Sequence, residues 1–216
     1  MSFEYYPPMS ALNVVDCDND FIILNKPSGL LSVPGRKAEH KDSLQSRVQS
    51  LYPTATTVHR LDMDTSGLVV MALNKAAHVH ISRQFENKSV QKSYISLVDG
   101  IVEDDTGVID LPLRCDWPNR PLQMVDSELG KRAVTHWQVL ERLQDRTRLL
   151  LKPETGRSHQ LRVHCLNMGH PILGDRFYAV GEQVTKVKRL CLHAQALAFY
   201  HPSREQEVFF EVPADF

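Results

Sequence analysis

The chain has 216 residues, 42% hydrophobic and 24% charged, with 25 Lys and Arg against 26 Asp and Glu. This is ordinary globular composition and excludes disordered and fibrous classes. No apolar run approaches the ~20 residues of a membrane helix, and Met1 to Ala11 has neither basic flank nor apolar core, so a cytoplasmic chain with no membrane partner is expected.

From Leu12 the sequence reads as a strand, an Asp18-Asn19-Asp20 turn and a second strand, Phe21 to Leu24. Lys26-Pro27-Ser28-Gly29 breaks this hairpin, and a polar loop with Pro34-Gly35-Arg36-Lys37 follows. Leu44, Val48 and Leu51 share one face of a short helix expected over Ser43 to Leu51. A strand runs from Leu68 to Leu73, Asn74 caps a helix over Lys75 to Glu86, and Tyr94 to Val98 alternates as a strand. Further strands are expected at Val108 to Leu113, Val134 to Val139, Thr147 to Leu151, Leu192 to Phe199 and Val208 to Val212. Ser158 to Met168 reads as a helix, since Leu161, Cys165 and Met168 fall on one face. Asp116 to Met124 reads as a long loop carrying Trp117 and Arg120, either a ligand-touching loop or a proline-stiffened connection. Strands outnumber helices and most connections are short. The fold class is therefore α+β, a mixed, largely antiparallel central sheet with flanking helices and loops. No repeat or linker interrupts it, so one domain over 1–216 is expected.

The net charge of -1 hides segregation. Residues 146–176 hold Arg146, Arg148, Lys152, Arg157, Arg162 and Arg176 against Glu154 and Asp175, a local +4, and residues 74–92 are +3. Acids gather at Asp16 to Asp20, Glu103 to Asp110 and the tail from Glu205. Such a chain can offer a basic face to a polyanion, although solvated faces would give the same count. Cys17, Cys115, Cys165 and Cys191 are too scattered for a zinc or redox motif and are expected as reduced, mostly buried thiols.

Two clusters carry chemistry. His59-Arg60-Leu61-Asp62-Met63-Asp64-Thr65-Ser66-Gly67 crowds two carboxylates, an arginine and an imidazole ahead of an apolar strand, where a decorated turn would also fit. Gly156-Arg157-Ser158-His159-Gln160-Leu161-Arg162 brings complementary charge. The histidines lack metal-ligand spacing, and no phosphate-cradling glycine loop or nucleophile elbow occurs, so no metal and no cofactor is expected. What remains is an aspartate-centred site supported by arginines, with Arg157 and Arg162 expected in the first turns of a helix, where the dipole also favours anions. A carboxylate beside such groups stays ionised and suits a nucleophile better than a proton donor. Residue chemistry does not choose between Asp62 and Asp64. Asp64-Thr65-Ser66-Gly67 also comes within one residue of the aspartic protease Asp-Thr-Gly, but no second copy exists to complete a dyad.

At these residues the chain resembles the RluA family of RNA pseudouridine synthases. The resemblance rests on His59-Arg60-Leu61-Asp62 with Thr65-Ser66-Gly67, Leu24 to Leu30, Lys92-Ser93-Tyr94, Gly156 to Arg162, Gly169 to Asp175 and Leu192-His193-Ala194. It implies the pseudouridine synthase fold, a catalytic Asp62 and no cofactor. It also implies that Tyr94 stacks on the target uracil, Arg162 pairs with the catalytic aspartate, and Arg60 enters the space left by the flipped base. His59, Arg157 and Leu192 complete the expected RNA-binding set. No N-terminal S4-like domain is expected, because the catalytic pattern starts near residue 12. The short form, the Asp116 to Pro121 segment and the Ala214-Asp215-Phe216 end resemble the dual-target branch. That branch implies a monomer acting on a 23S rRNA stem-loop and a tRNA anticodon stem-loop, with no DNA partner. A non-catalytic RNA-binding module on the same fold is the alternative.

Overall fold

The computed structural model describes residues 4–204 and 206–216. Met1 to Phe3, part of the stretch that lacks a basic flank and apolar core, and Glu205, the first acid of the tail, lie outside the described residues. In chain order the elements are β1 Val14–Cys17, β2 Phe21–Lys26, α1 Leu44–Gln49, β3 Thr56–Thr57, β4 Ser66–Ala72, α2 Lys75–Glu86, β5 Gln91–Asp99 and β6 Thr106–Asp110. There follow β7 Leu113–Cys115, β8 Gln123–Val125, β9 Val134–Arg142, β10 Arg146–Pro153, α3 Gln160–Asn167, α4 Glu182–Thr185, β11 Leu192–Tyr200 and β12 Glu207–Glu211. The architecture is α+β, with a mixed, mostly antiparallel sheet and few helices. Among the described residues no helix is long and apolar enough to cross a membrane. The chain separates into two compact units, one holding residues up to Gln91 with Ala194–Ala214, the other Lys92–His193 with Asp215–Phe216.

In the first unit the strand order is β1-β2-β4-β11, with β12 on β11 and β3 on β4. β2 pairs antiparallel with both β1 and β4. Every residue of β4 and the run Phe21 to Leu24 are buried, which is why these segments read as continuous apolar runs rather than alternating ones. Phe21, Ile23, Leu68, Val70, Ile81, Leu197 and Phe199 form the core. Caps set the helix starts: the Asn74 side chain accepts the Ala77 N–H at 2.9 Å, and Ser43 and Ser46 make a capping box at α1. The β1–β2 turn is tied to the end of β11 by buried His201, whose Nε2 lies 2.7 Å from Asp18.

In the second unit β5, β10, β9 and β6 lie side by side, each pair antiparallel, with β7–β8 as a separate hairpin. Leu97, Val98, Trp137, Leu149, Leu151, Leu161, Ile172 and Leu192 belong to its core. The strand expected over Val108 to Leu113 divides in two, since Pro112 has no N–H to give a ladder. Of the expected loop at Asp116 to Met124, residues 116–122 form the tip of the β7–β8 hairpin, including a 3-10 turn at Trp117–Asn119, while Gln123 and Met124 pair with Cys115 and Arg114 as strand β8. Helix α3 starts at Gln160 because His159 sits in the left-handed region at φ 52°, so Arg157 precedes the helix rather than lying in its first turn. All four cysteines are free, but only Cys165 and Cys191 are buried. Cys17 is exposed on the sheet's edge strand and Cys115 half-buried in the small hairpin, which corrects the expectation of mostly buried thiols.

Candidate active site

The expected site residues divide between the units. His59, Arg60 and Asp62 fall in the first, Tyr94, Arg157, Arg162 and Leu192 in the second.

In the first unit the motif loop is held by the segment that follows β2. Lys26 is fully buried, and its ammonium donates to the carbonyls of Pro27, Leu30 and Met63 at 3.0, 2.7 and 2.8 Å. The Ser28 hydroxyl donates to the Asp64 carbonyl at 2.7 Å and the Gly29 N–H to Met63 at 2.9 Å. Ser32 both accepts from the Leu61 N–H and donates to the Leu61 carbonyl. Asp62 is thus fixed through the backbone on either side of it, and its own carbonyl accepts the Thr65 N–H at 3.2 Å to close a turn. Asp62 and Asp64 are both half-buried. Gly67, at φ 111°, admits the close approach of β11: a Cβ there would lie 2.3 Å from the Ala194 carbonyl oxygen. His59 turns inward, its Nε2 accepting the Val70 N–H at 3.0 Å and its ring stacking on Phe85. Arg60 is exposed, and its guanidinium has no hydrogen-bond or ion-pair partner among the described residues.

In the second unit Arg162 is 3% exposed and grips Asp175 through a bidentate pair, Nε and Nη2 each 2.7 Å from a carboxylate oxygen. Asp175 also accepts the Phe177 and Tyr178 N–H groups, which fixes the aromatic rings 5.0 and 5.2 Å from the guanidinium carbon. Tyr94 stands on β5 opposite Leu151, half-buried against the core cluster that contains Leu192 and Leu161. Leu192 is 3% exposed and packs within that cluster. Arg157 is exposed, its Nε donating to the Arg132 carbonyl at 3.1 Å. Burial holds the Lys92 ammonium below the usual lysine range. Neither Asp175 nor Lys26 has a role legible in the sequence, although both lie inside family motifs, Gly169 to Asp175 and Leu24 to Leu30.

The net +4 over 146–176 overstates the charge free for a polyanion, because Arg146 and Arg148 pair with Asp145 and Glu141, which lie outside that stretch. Lys75, Arg83 and Lys88, on or just beyond α2, are exposed and unpaired among the described residues. A cavity of about 300 Å³ over β6, β9 and β10 contains none of the expected site residues. Among the described residues one cluster, Asp18, Asp20 and His201, brings possible metal-ligand atoms within 4.8 Å of one another. Its atoms already bond one another, Asn74 and the Ser203 N–H, so it serves as a staple.

A family model described as RNA pseudouridylate synthase matches residues 20–167. The chain is 53% identical over 215 residues to the dual-specificity RNA pseudouridine synthase RluA of Escherichia coli strain K12, covering 99% of this chain and 98% of that protein. It is 55% identical over 200 residues to the protein of the same name from Yersinia pestis, covering 92% and 97%. Among solved structures, human RNA pseudouridylate synthase domain containing 1 superposes with a TM-score of 0.81 at 31% identity, over 98% of this chain and 87% of that one.

Proposed function

Starting from the chain's membership of the RluA family of RNA pseudouridine synthases, we propose that it isomerises uridines in two RNAs, a 23S rRNA stem-loop and a tRNA anticodon stem-loop, with Asp62 as the catalytic carboxylate. In this reaction the bond from C1′ to N1 of uracil breaks, C1′ joins C5, the C5 proton leaves to solvent and N1 takes a proton. The target base leaves the stack first. The observation that carries the reading is the clamp of Lys26, Ser28, Gly29 and Ser32 on the motif loop, which holds the backbone around Asp62 and Asp64 in place, and the family motif selects Asp62 of the two.

Asp62 can add to uracil C6, attack C1′ or promote a glycal, and none of these routes calls for a metal or cofactor. Exposed, unpaired Arg60 is suited to fill the space of the flipped base. Tyr94 stacks on uracil and is the candidate to take the C5 proton. Arg162, oriented by Asp175, takes the family role of cationic partner to the catalytic aspartate. The dual target is supported by the name that the 53%-identical relative carries. His59 and Leu192 act indirectly, through Val70 and through the cluster at Tyr94.

Tritium release from unmodified tRNA and 23S rRNA transcripts labelled at uridine C5 tests this. Release by wild type and Asp64→Asn, but not Asp62→Asn, is expected from both RNAs. Release by Asp62→Asn would overturn the assignment, and release from one RNA alone would overturn the dual target. A Tyr94→Phe enzyme with normal turnover would exclude its hydroxyl as the base.

A further inference from the structure

Trp117 is 64% exposed at the tip of the β7–β8 hairpin, and the guanidinium carbon of Arg120 lies 3.2 Å from its ring centroid. A scattered exposed aromatic is unremarkable on a protein surface. This one differs in three respects. Neither the indole N–H nor the Arg120 guanidinium has a hydrogen-bond or ion-pair partner among the described residues, so the pair is committed to nothing but itself. The tip is rigid: Asp116 N–H donates to Leu122, Asn119 N–H to Asp116 and Leu122 N–H to Asn119, while the Asn119 amide caps the Asp116 carboxylate at 2.9 Å. The hairpin is also anchored below, by the Arg114–Asp126 ion pair and by the Gln123 N–H bonded to the Tyr178 hydroxyl at 2.8 Å. That hydroxyl lies 2.7 Å from His159 Nδ1, so the hairpin is tied to the start of the helix carrying Arg162.

We propose that Trp117 and Arg120 form a base-stacking clamp for an unpaired nucleotide of the RNA outside the reacting uridine. The inference rests on the RNA-modifying reading above. An indole flanked by guanidinium extends a π-stack that any nucleobase can join, and the arginine charge lies within reach of the adjoining phosphate. Rigidity means that little entropy is lost when the base docks. The clamp is sequence-tolerant, so it recognises an unstacked loop rather than a particular base.

The test uses the full chain and an unmodified tRNA transcript. The chain has two tryptophans, and Trp137 is buried in the core, so RNA should quench the emission of wild type and leave that of Trp117→Phe nearly unaltered. Trp117→Ala should raise Kd about tenfold, with Trp117→Phe restoring most of the affinity, and Arg120→Gln should lower the salt slope of binding by about one. Circular dichroism checks that each variant is folded. Wild-type emission that saturating RNA leaves unchanged overturns the proposal, and so does a Trp117→Ala variant that binds as tightly as wild type. Tritium release by wild type judges the parent reading separately. Quenching without release would sink the target assignment and leave the clamp standing.

Discussion

Replacing Lys26 with methionine isolates the clamp that holds Asp62. The substitution keeps the buried stem and removes the ammonium, leaving the Pro27, Leu30 and Met63 carbonyls without that donor. Each such loss costs roughly 1–2 kcal/mol, and relief from burying a charge offsets part of the total. The net destabilisation is therefore about 3 kcal/mol, which for a chain of this size lowers Tm by about 6–12 °C. Because Met63 follows Asp62 directly, the loop loosens beside the catalytic carboxylate, and single-turnover tritium release should fall by more than RNA affinity does. Thermal unfolding by circular dichroism and tritium release at saturating RNA read the two effects. A Lys26→Met protein that melts within about 2 °C of wild type and turns over normally would refute the view that this ammonium organises the site.

Gly67→Ala places a methyl against the Ala194 backbone at φ 111° and should cost at least about 3 kcal/mol, read as a lower urea midpoint; an unchanged midpoint would show that β11 yields. Burial raises the Cys165 thiol to about 12 and the Cys191 thiol to about 11, so a thiol reagent should modify Cys17 and Cys115 in the native protein and the other pair only in denaturant. Burial holds the His164 pKa below 6.5. Its unfolded state therefore binds the extra proton, and stability should fall as pH drops below about 6.5, by at most ~1.4 kcal/mol per pH unit. In His164→Gln the pH dependence of Tm in that window should flatten; an unaltered profile would assign it to other groups.

Where local chemistry decides the conformation, the sequence was a good guide. Asn74 and Ser43 announce their helices through side chains that satisfy free N–H groups, and Phe21 to Leu24 and Leu68 to Ala72 read as strands because they are buried throughout. Where tertiary contact decides, little could be read. β3 is two threonines with no pattern of their own, and the β7–β8 pairing hides in a proline-bearing stretch whose strands are three residues each. Lys26 reads as part of the break that follows a strand, because lysine is rarely buried, whereas it ends β2 and its role exists only once three carbonyls converge on it. Likewise Asp175 gains meaning only against Arg162. Asp62 and Asp64 are both half-buried, so family resemblance rather than environment separates them.

The path of the chain bears on when the protein becomes competent during its own synthesis. The first unit takes its residues from two separated stretches of the chain: the loop bearing Asp62 lies in the earlier one, while β11, against which Gly67 packs, mostly belongs to Ala194–Ala214. At translation rates of about 5–20 residues per second, the loop emerges on the order of ten seconds before the strand that supports it. A nascent chain that has made its His-Arg-Leu-Asp segment holds the reactive group without its scaffold. Competence therefore waits until β11 has been made, after residues 92–193 of the second unit.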